Sequence, residues 1–561
     1  IGGNFRDMEF KPNDNKVLYA CNGNEIYKST DEGSNWSKLG TGIPSGIGRV
    51  ALAVTPANPD MVFAVTADKT YWDNGELYVS TDAGKVWQLK ATNLNFLGQQ
   101  GWYNLSIAVS PTNIQEIYLG GLNIIRTTNG GTSWKTIASS KDTTGLAYIH
   151  TNIHDLVITK GSPSIIYACS DGGVFRTTKN DTTWIDISKG LEIMEFYRIA
   201  CAAPNTNFII GGTESNGINK FKDTLWSKVL NDEDGMQCLI DPNNSNIVYV
   251  GVNSGLILRS TDGGVNFDSL IIRGGKSVNS PIWITPYVFD PTNSKIIYSG
   301  YLDVWKNNTK TNITEKISEF SGKILNYIAV APSDPLYIYA GNDEKMYCTT
   351  NGGDTWKEIL LPKFGSITHL AIHPTNSRRI WVTISGYGTK KVFESFYSGD
   401  TWNNISEGLP AIPINCIVPQ NYSPDRVYVG TDAGIYYHDK NQTQWVEYND
   451  GLPKVIINDI VINYASGKLL AATNGRGVWE GNLIKCAAKT VEVSVLEDKK
   501  SFCQGDSVRL TASDNFLSYQ WSNGETTKSI YAKTSGEFYV TAVDGNGCSF
   551  VSLPVVMSVI P

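Results

Sequence analysis

The sequence predicts an all-β protein built mainly as a multi-bladed β-propeller, and three observations carry that prediction. A Ser/Thr-x-Asp-x-Gly-x-x-Trp phrase recurs about every 40 to 50 residues. Between its copies, short apolar runs alternate with Asp/Asn/Pro/Gly turns. Glycine reaches 53 residues and aromatics 11%, while charged residues fall to 18%, a balance that favours strands and tight turns.

The clearest copies run from Ser29 to Trp36, Ser80 to Trp87, Thr127 to Trp134, Ser260 to Phe267 and Thr349 to Trp356. Weaker ones end at Trp184, Trp226, Trp402 and Trp445. Each is preceded by the same surroundings: an apolar strand, a turn such as Asp241-Pro242-Asn243-Asn244, a strand like Ile247 to Gly251, and another like Leu256 to Arg259. That order predicts one four-stranded antiparallel meander per repeat.

The box itself is a turn device. A carboxylate or amide at its third position accepts backbone N–H bonds, the glycine takes a positive φ, and the terminal ring packs back between neighbouring sheets. Asp31, Trp36, Asp82, Trp87, Asn129, Trp134, Asp262, Phe267, Asn351 and Trp356 are therefore assigned structural roles. Their recurrence at equivalent positions argues against catalysis by any one of them.

Counting first strands gives eleven repeats, the last of which, Ile457 to Leu483, lacks both a box and a fourth strand. A blade short of one strand is expected to borrow it from upstream chain. After Lys485-Cys486-Ala487-Ala488-Lys489 the pattern changes to alternating strands around Trp521, which reads as a small sandwich.

Composition excludes several function classes. The net charge is -7 and no long Lys/Arg run occurs, so there is no electrostatic footprint for nucleic acid. No stretch of about 18 apolar residues exists to span a bilayer. Ile1-Gly2-Gly3 is neither an initiator nor a signal peptide, so the start is expected to be processed or a fragment. Nine cysteines stand singly without metal-site spacing, and most are read as small buried hydrophobes. No cofactor or metal is expected.

Four phrases carry a resemblance: Phe5-Arg6-Asp7-Met8-Glu9-Phe10-Lys11-Pro12, Gly101 to Pro111, Ser170-Asp171-Gly172-Gly173-Val174-Phe175, and Gly475-Arg476-Gly477-Val478-Trp479-Glu480. They resemble large exported Bacteroidetes proteins with Asp-box (BNR or sortilin-like) propellers, of the kind that type IX secretion carries. More distantly the repeats resemble the tandem propellers of family 74 xyloglucanases. The likeness to the exported Bacteroidetes proteins implies about three further blades upstream and thus two rings of about seven, with residues 1–190 ending the first and 191–484 forming the second. A single larger ring, as in sortilin, is the alternative. Residues 485–561 resemble the Ig-like or PKD-like spacers of the same bacteria. A Cys503–Cys548 disulfide is expected there, with the oxidising compartment it implies.

Candidate chemistry centres on a few residues. In Tyr148 to Asp155, His150, Asn152 and His154 would share one face if the segment were a strand. A wet channel lining is the plain expectation for them. The resemblance to family 74 enzymes, where a catalytic Asp occupies a comparable Asp-x-Gly-Gly turn, points to Asp171. Glycoside hydrolysis needs a second carboxyl group, and none in a matching position is recognised. Glu214 and Asp234 are further loop carboxylates, and Trp72 and Trp102 are candidate sugar-stacking rings.

The expected function is a secreted or cell-surface binding protein for a polysaccharide, matrix component or surface protein, without a complete catalytic set. A tandem-propeller glycoside hydrolase and a structural subunit of an extracellular assembly are the alternatives.

Overall fold

The computed structural model describes residues 2–560 except 45, 142–146, 162–163, 179–182, 203–206, 231–233, 253–254, 273–282, 321, 363–364, 422, 424, 441, 485–489, 515, 517 and 544–548. The side chains of 269–272 and 549 are likewise outside the description. The fold is all-β: among the described residues there is no α-helix, and a short 3₁₀ turn occupies Leu496–Asp498. No helix is long and apolar enough to cross a membrane.

The chain divides into two compact units, Ile1–Ile193 and Met194–Pro561. In the first, four antiparallel sheets of four strands follow in sequence, beginning at Asp7–Phe10, Ile47–Val54, Ser106–Val109 and Ile153–Ile158. Each is an antiparallel meander whose neighbouring strands are joined by short turns. First strands of successive sheets pack on one another, which makes them the innermost strands of the arc.

The second unit opens with six more four-stranded sheets, beginning at Phe196–Cys201, Gly235–Ile240, Tyr287–Asp290, Tyr327–Val330, Ile367–His373 and Ile414–Pro419, and a three-stranded one at Ile457–Asn482. The last sheet packs against the first of the unit, closing a circle. Asn458 Nδ2 donates to Phe196 O at 2.9 Å, Arg198 donates to Asn458 O at 2.8 Å, and Ile199 N donates to Asp459 Oδ2 at 3.0 Å. Among the described residues the expected borrowed strand is not found: the final sheet has three strands, all from its own segment. Side-chain and backbone bonds between inner strands do the fastening instead, helped by an apolar seam of Phe196, Ile199, Leu470 and Ala472.

Inter-sheet packing explains the apolar alternation. Val65, Leu77, Phe96, Leu97 and Leu119 are almost wholly buried between sheets of the first unit, and burying each such side chain contributes roughly 1.5–3 kcal/mol. The C-terminal segment forms three three-stranded sheets around Trp521, with Leu510, Ile530, Val540 and Met557 beside it.

The boxes form the expected turns. Asp31 Oδ1 accepts from Asn35 N at 2.8 Å and from Ser29 Oγ at 2.8 Å, while Gly33 adopts φ +87. Asp82, Asp262, Asn129 and Asn351 repeat the scheme. The ring nitrogens vary: Trp36 and Trp134 bond within their own turn, whereas Trp356 reaches Ile317 O of the preceding sheet at 2.6 Å. Trp87 is buried with its Nε1 unpartnered among the described residues, and Phe267 packs on the apolar seam around Cys238.

Candidate functional site

A recurring β-bulge builds the site. In six of the eleven meanders the first strand opens with an apolar residue, one extra residue and then a paired one: Ile47-Gly48-Arg49, Ile153-His154-Asp155, Phe196-Tyr197-Arg198, Ile367-Thr368-His369, Ile414-Asn415-Cys416 and Ile457-Asn458-Asp459. A bulge leaves the extra residue outside the ladder and re-aims its side chain. At His154 it turns the imidazole toward the Ser170-Asp171-Gly172-Gly173 turn of the same sheet.

There Asp171 is the hub. His154 Nε2 lies 2.6 Å from Asp171 Oδ1, Tyr103 OH donates to the same oxygen at 2.9 Å, and Asn152 Nδ2 donates to Oδ2 at 2.8 Å. Asn104 Nδ2 in turn donates to Asn152 Oδ1 at 2.7 Å, which fixes the amide's orientation. The Asp171 side chain is 5% exposed while His154 keeps 35%. Burial pulls the Asp171 carboxyl upward, but His154, Asn152 and Tyr103 together outweigh it and hold the group below its ordinary value. The result is a preorganised carboxylate acceptor under a half-open imidazole.

Aromatic surface adjoins it. Tyr103 meets His154 edge-on at 4.8 Å and lies 5.4 Å from Trp102, whose ring is 53% exposed. Two guanidinium groups pin the backbone under these rings: Arg49 donates to Tyr103 O at 2.6 Å and to Trp102 O at 3.2 Å, and Arg6 donates to Trp102 O at 3.1 Å. The inner strands beside them carry Asp7, Glu9 and Asp155. Burial, then Asp7 and Asp155, push the Glu9 carboxyl up to about 8. Asp7 is also raised by burial, although its Oδ2 accepts from Leu52 N at 2.7 Å.

The two histidines do not share a strand face. Asn152 stands at φ +62 and the strand begins only at Ile153, so the period-two reading fails. His150 is instead buried, its ring directly under Gly172, where an added Cβ would stand 2.3 Å from the imidazole. Among the described residues no group of three or more His, Cys, Asp or Glu side chains comes together to hold a metal ion.

Trp72, expected as a sugar-stacking ring, stands in the loop before the strand that opens at Asn74. Its ring is half-buried over Gly48 and packs on the first unit's core, while the neighbouring Tyr71 is 70% exposed. Glu214 and Asp234 belong to the second unit, where Ser215 N donates to Asp234 Oδ1 at 2.6 Å and Glu214 N to Glu195 O at 3.1 Å. Of the cysteines, Cys21, Cys238, Cys348 and Cys416 are buried, but Cys169 is exposed. Cys503 is a free, exposed thiol, and Cys548, its expected partner, lies outside the described residues, as does the 485–489 link.

Sequence reading missed Arg49, Asn104 and the pairing of His154 with Asp171. The signal available was the repeated Ile-x-polar triplet opening the inner strands.

No family model matches the chain. Over 250 residues it is 26% identical to the xyloglucanase Xgh74A of Acetivibrio thermocellus, covering 39% of this chain and 27% of that protein. Over 183 residues it is 28% identical to the xyloglucanase of Hypocrea jecorina, covering 31% of this chain and 19% of that one. The aligned stretches thus span about a quarter or less of these relatives' length. Among solved structures, the GH74 xyloglucanase of Xanthomonas campestris aligns at 14% identity and a TM-score of 0.29, covering 98% of both chains. The GH74 enzyme of Niastella koreensis aligns at 14% identity and a TM-score of 0.27, covering 98% of this chain and 92% of that one. The chain is therefore similar in sequence, over part of its length, to xyloglucanases.

Proposed function

We propose that this is a secreted β-propeller protein that binds polysaccharide through the face carrying Trp102, Tyr103, His154 and Asp171. One observation carries the reading: an exposed indole stands beside a tyrosine whose hydroxyl rests on a carboxylate held ionised by two further donors. A ring face stacks on the apolar side of a sugar, and a fixed acceptor takes its hydroxyl hydrogens. The partial identity to xyloglucanases supports a β-glucan as ligand.

In this reading residues 1–190 and 191–484 belong to two propellers and 485–561 to an Ig-like spacer. Affinity electrophoresis of the full chain in xyloglucan and in mixed-linkage glucan tests it. Retardation that Trp102→Ala and Asp171→Asn abolish is expected, and unretarded migration in every glycan overturns it.

The same partial identity favours a second reading, a glycoside hydrolase using Asp171 as its base. Release of reducing ends that Asp171→Asn abolishes would replace binding with hydrolysis. The ionised state of Asp171 suits a base but not the protonated acid, which a second carboxyl group would have to supply.

A further inference from the structure

We infer that His154 is the specificity-determining residue of the Trp102 face: its Nδ1 atom accepts a sugar hydroxyl, and Asp171 is the positioning residue behind it. This rests on the polysaccharide reading and names the atom of that site which meets the ligand.

Access separates the two residues. The Asp171 side chain is 5% exposed, and its oxygens already take donors from three side chains: His154 Nε2 and Tyr103 OH on Oδ1, Asn152 Nδ2 on Oδ2. A ligand hydroxyl would have to displace one of them to reach the carboxylate. His154 keeps 35% of its side chain exposed, and among the described residues its Nδ1 has no hydrogen-bond partner. As the extra residue of the bulge between Ile153 and Asp155 it stands outside the strand ladder, so side-chain contacts alone aim its ring.

Those contacts also fix the tautomer. Asp171 is gathered under three donors and ionised, so it has no proton to give. The 2.6 Å contact therefore takes its hydrogen from His154 Nε2. A neutral imidazole carries one N–H, which leaves the lone pair of Nδ1 unused. A carboxylate on one ring nitrogen is a general means of orienting the other toward a ligand. Tyr103 holds the ring from a second side, edge-on at 4.8 Å with its hydroxyl on the same Asp171 oxygen. Turning the imidazole over would carry Nε2 off Asp171.

The ligand chemistry follows. An unprotonated Nδ1 takes a hydrogen and gives none, so it fits a group that donates, as a sugar hydroxyl does. Tyr103 stands between this acceptor and the exposed indole, its ring 4.8 Å from His154 and 5.4 Å from Trp102. A sugar whose apolar face covers Trp102 thus meets the acceptor about one ring-width away. The class selected is a neutral sugar with a free hydroxyl on that edge.

His154→Gln in the full chain separates this role from a structural one. The glutamine amide puts an N–H where Nε2 stands and no acceptor at the place of Nδ1, so it keeps the Asp171 contact and removes the lone pair. Unfolding in urea is expected at the wild-type midpoint, while retention in xyloglucan affinity electrophoresis falls about threefold or more. Retention kept at the wild-type level defeats the inference. Should His154→Gln fail to fold, the wild-type chain with nitrogen-15 histidine decides, at about pH 8, above the ordinary histidine range. His154 is expected to carry its proton on Nε2 and none on Nδ1, and the Nδ1 resonance to move when a xyloglucan oligosaccharide is added. A proton on Nδ1, or an Nδ1 resonance unmoved by bound oligosaccharide, overturns the assignment and leaves the polysaccharide reading standing. A wild-type chain that no glycan retards overturns that reading, and this one with it.

Discussion

His154 and Asp171 meet across the mouth of one sheet, Nε2 to Oδ1 at 2.6 Å, in the same structural relation that joins Asn415 Nδ2 to Asp432 Oδ1 at 3.0 Å in the second unit. In both, the bulged residue of the first strand donates to the aspartate in the turn between the second and third strands. The contact is thus a device of the repeat, and what sets the His154 copy apart is its surroundings: a tyrosine, a second amide and an exposed indole. That comparison shapes the expectations for each residue.

Replacing Asp171 by Asn removes an ionised acceptor from three donors and is expected to cost about 1–3 kcal/mol of stability. The native carboxyl sits below its ordinary 3.8, so its contribution is present above that pH and fades as pH falls through the lowered native value. Urea unfolding at pH 7 and at pH 3 checks this: the gap between wild type and variant shrinks in acid.

Glu9 behaves with the opposite sign. Its carboxyl is raised from 4.5 to about 8, so the unfolded chain releases the proton first and the native state loses stability as pH rises between those values. Glu9→Gln is expected to match wild type near pH 4 and to exceed it near pH 8 by about 1 kcal/mol, allowing for the solvent-accessible edge of the group. Melting curves across that window supply the measurement.

Trp72 and Trp102 are expected to separate stability from binding. Trp72→Ala vacates packing on the first unit's core and costs about 2–4 kcal/mol, whereas Trp102→Ala, at an exposed ring, changes stability by about 0.5 kcal/mol or less. Glycan retention responds the other way, falling in Trp102→Ala. Paired denaturation and affinity electrophoresis of the two variants read both effects.

Gly48→Ala tests the same packing from the other side. An added Cβ would stand 2.3 Å from the Trp72 ring and 3.0 Å from Asp68 O, so the ring must leave its seat. A lowered melting temperature and a red-shifted tryptophan emission are expected, and an unchanged spectrum would contradict the placement of Trp72.

The repeated box and the apolar alternation made the all-β meander legible from the chain alone, because turn chemistry and strand periodicity act within a few residues of each other. Asp31 and Asn35, or Ser29 and Gly33, lie four apart and need no distant partner to form their turn. Asp171 was legible as a residue of interest for a similar local reason, its place in a glycine turn. Its partners were not: Tyr103 is 68 residues away, and no local periodicity links it to that turn. The period-two reading of His150 and His154 failed because Asn152 enters the left-handed region and a bulge follows at once, so one histidine goes under Gly172 and the other onto Asp171. Closure of the second unit is likewise a tertiary decision. Arg198 and Asn458 stand 260 residues apart, and only the circular stacking of seven sheets brings their strands edge to edge, where hydrogen bonds and buried apolar area fasten what the sequence leaves as separate repeats.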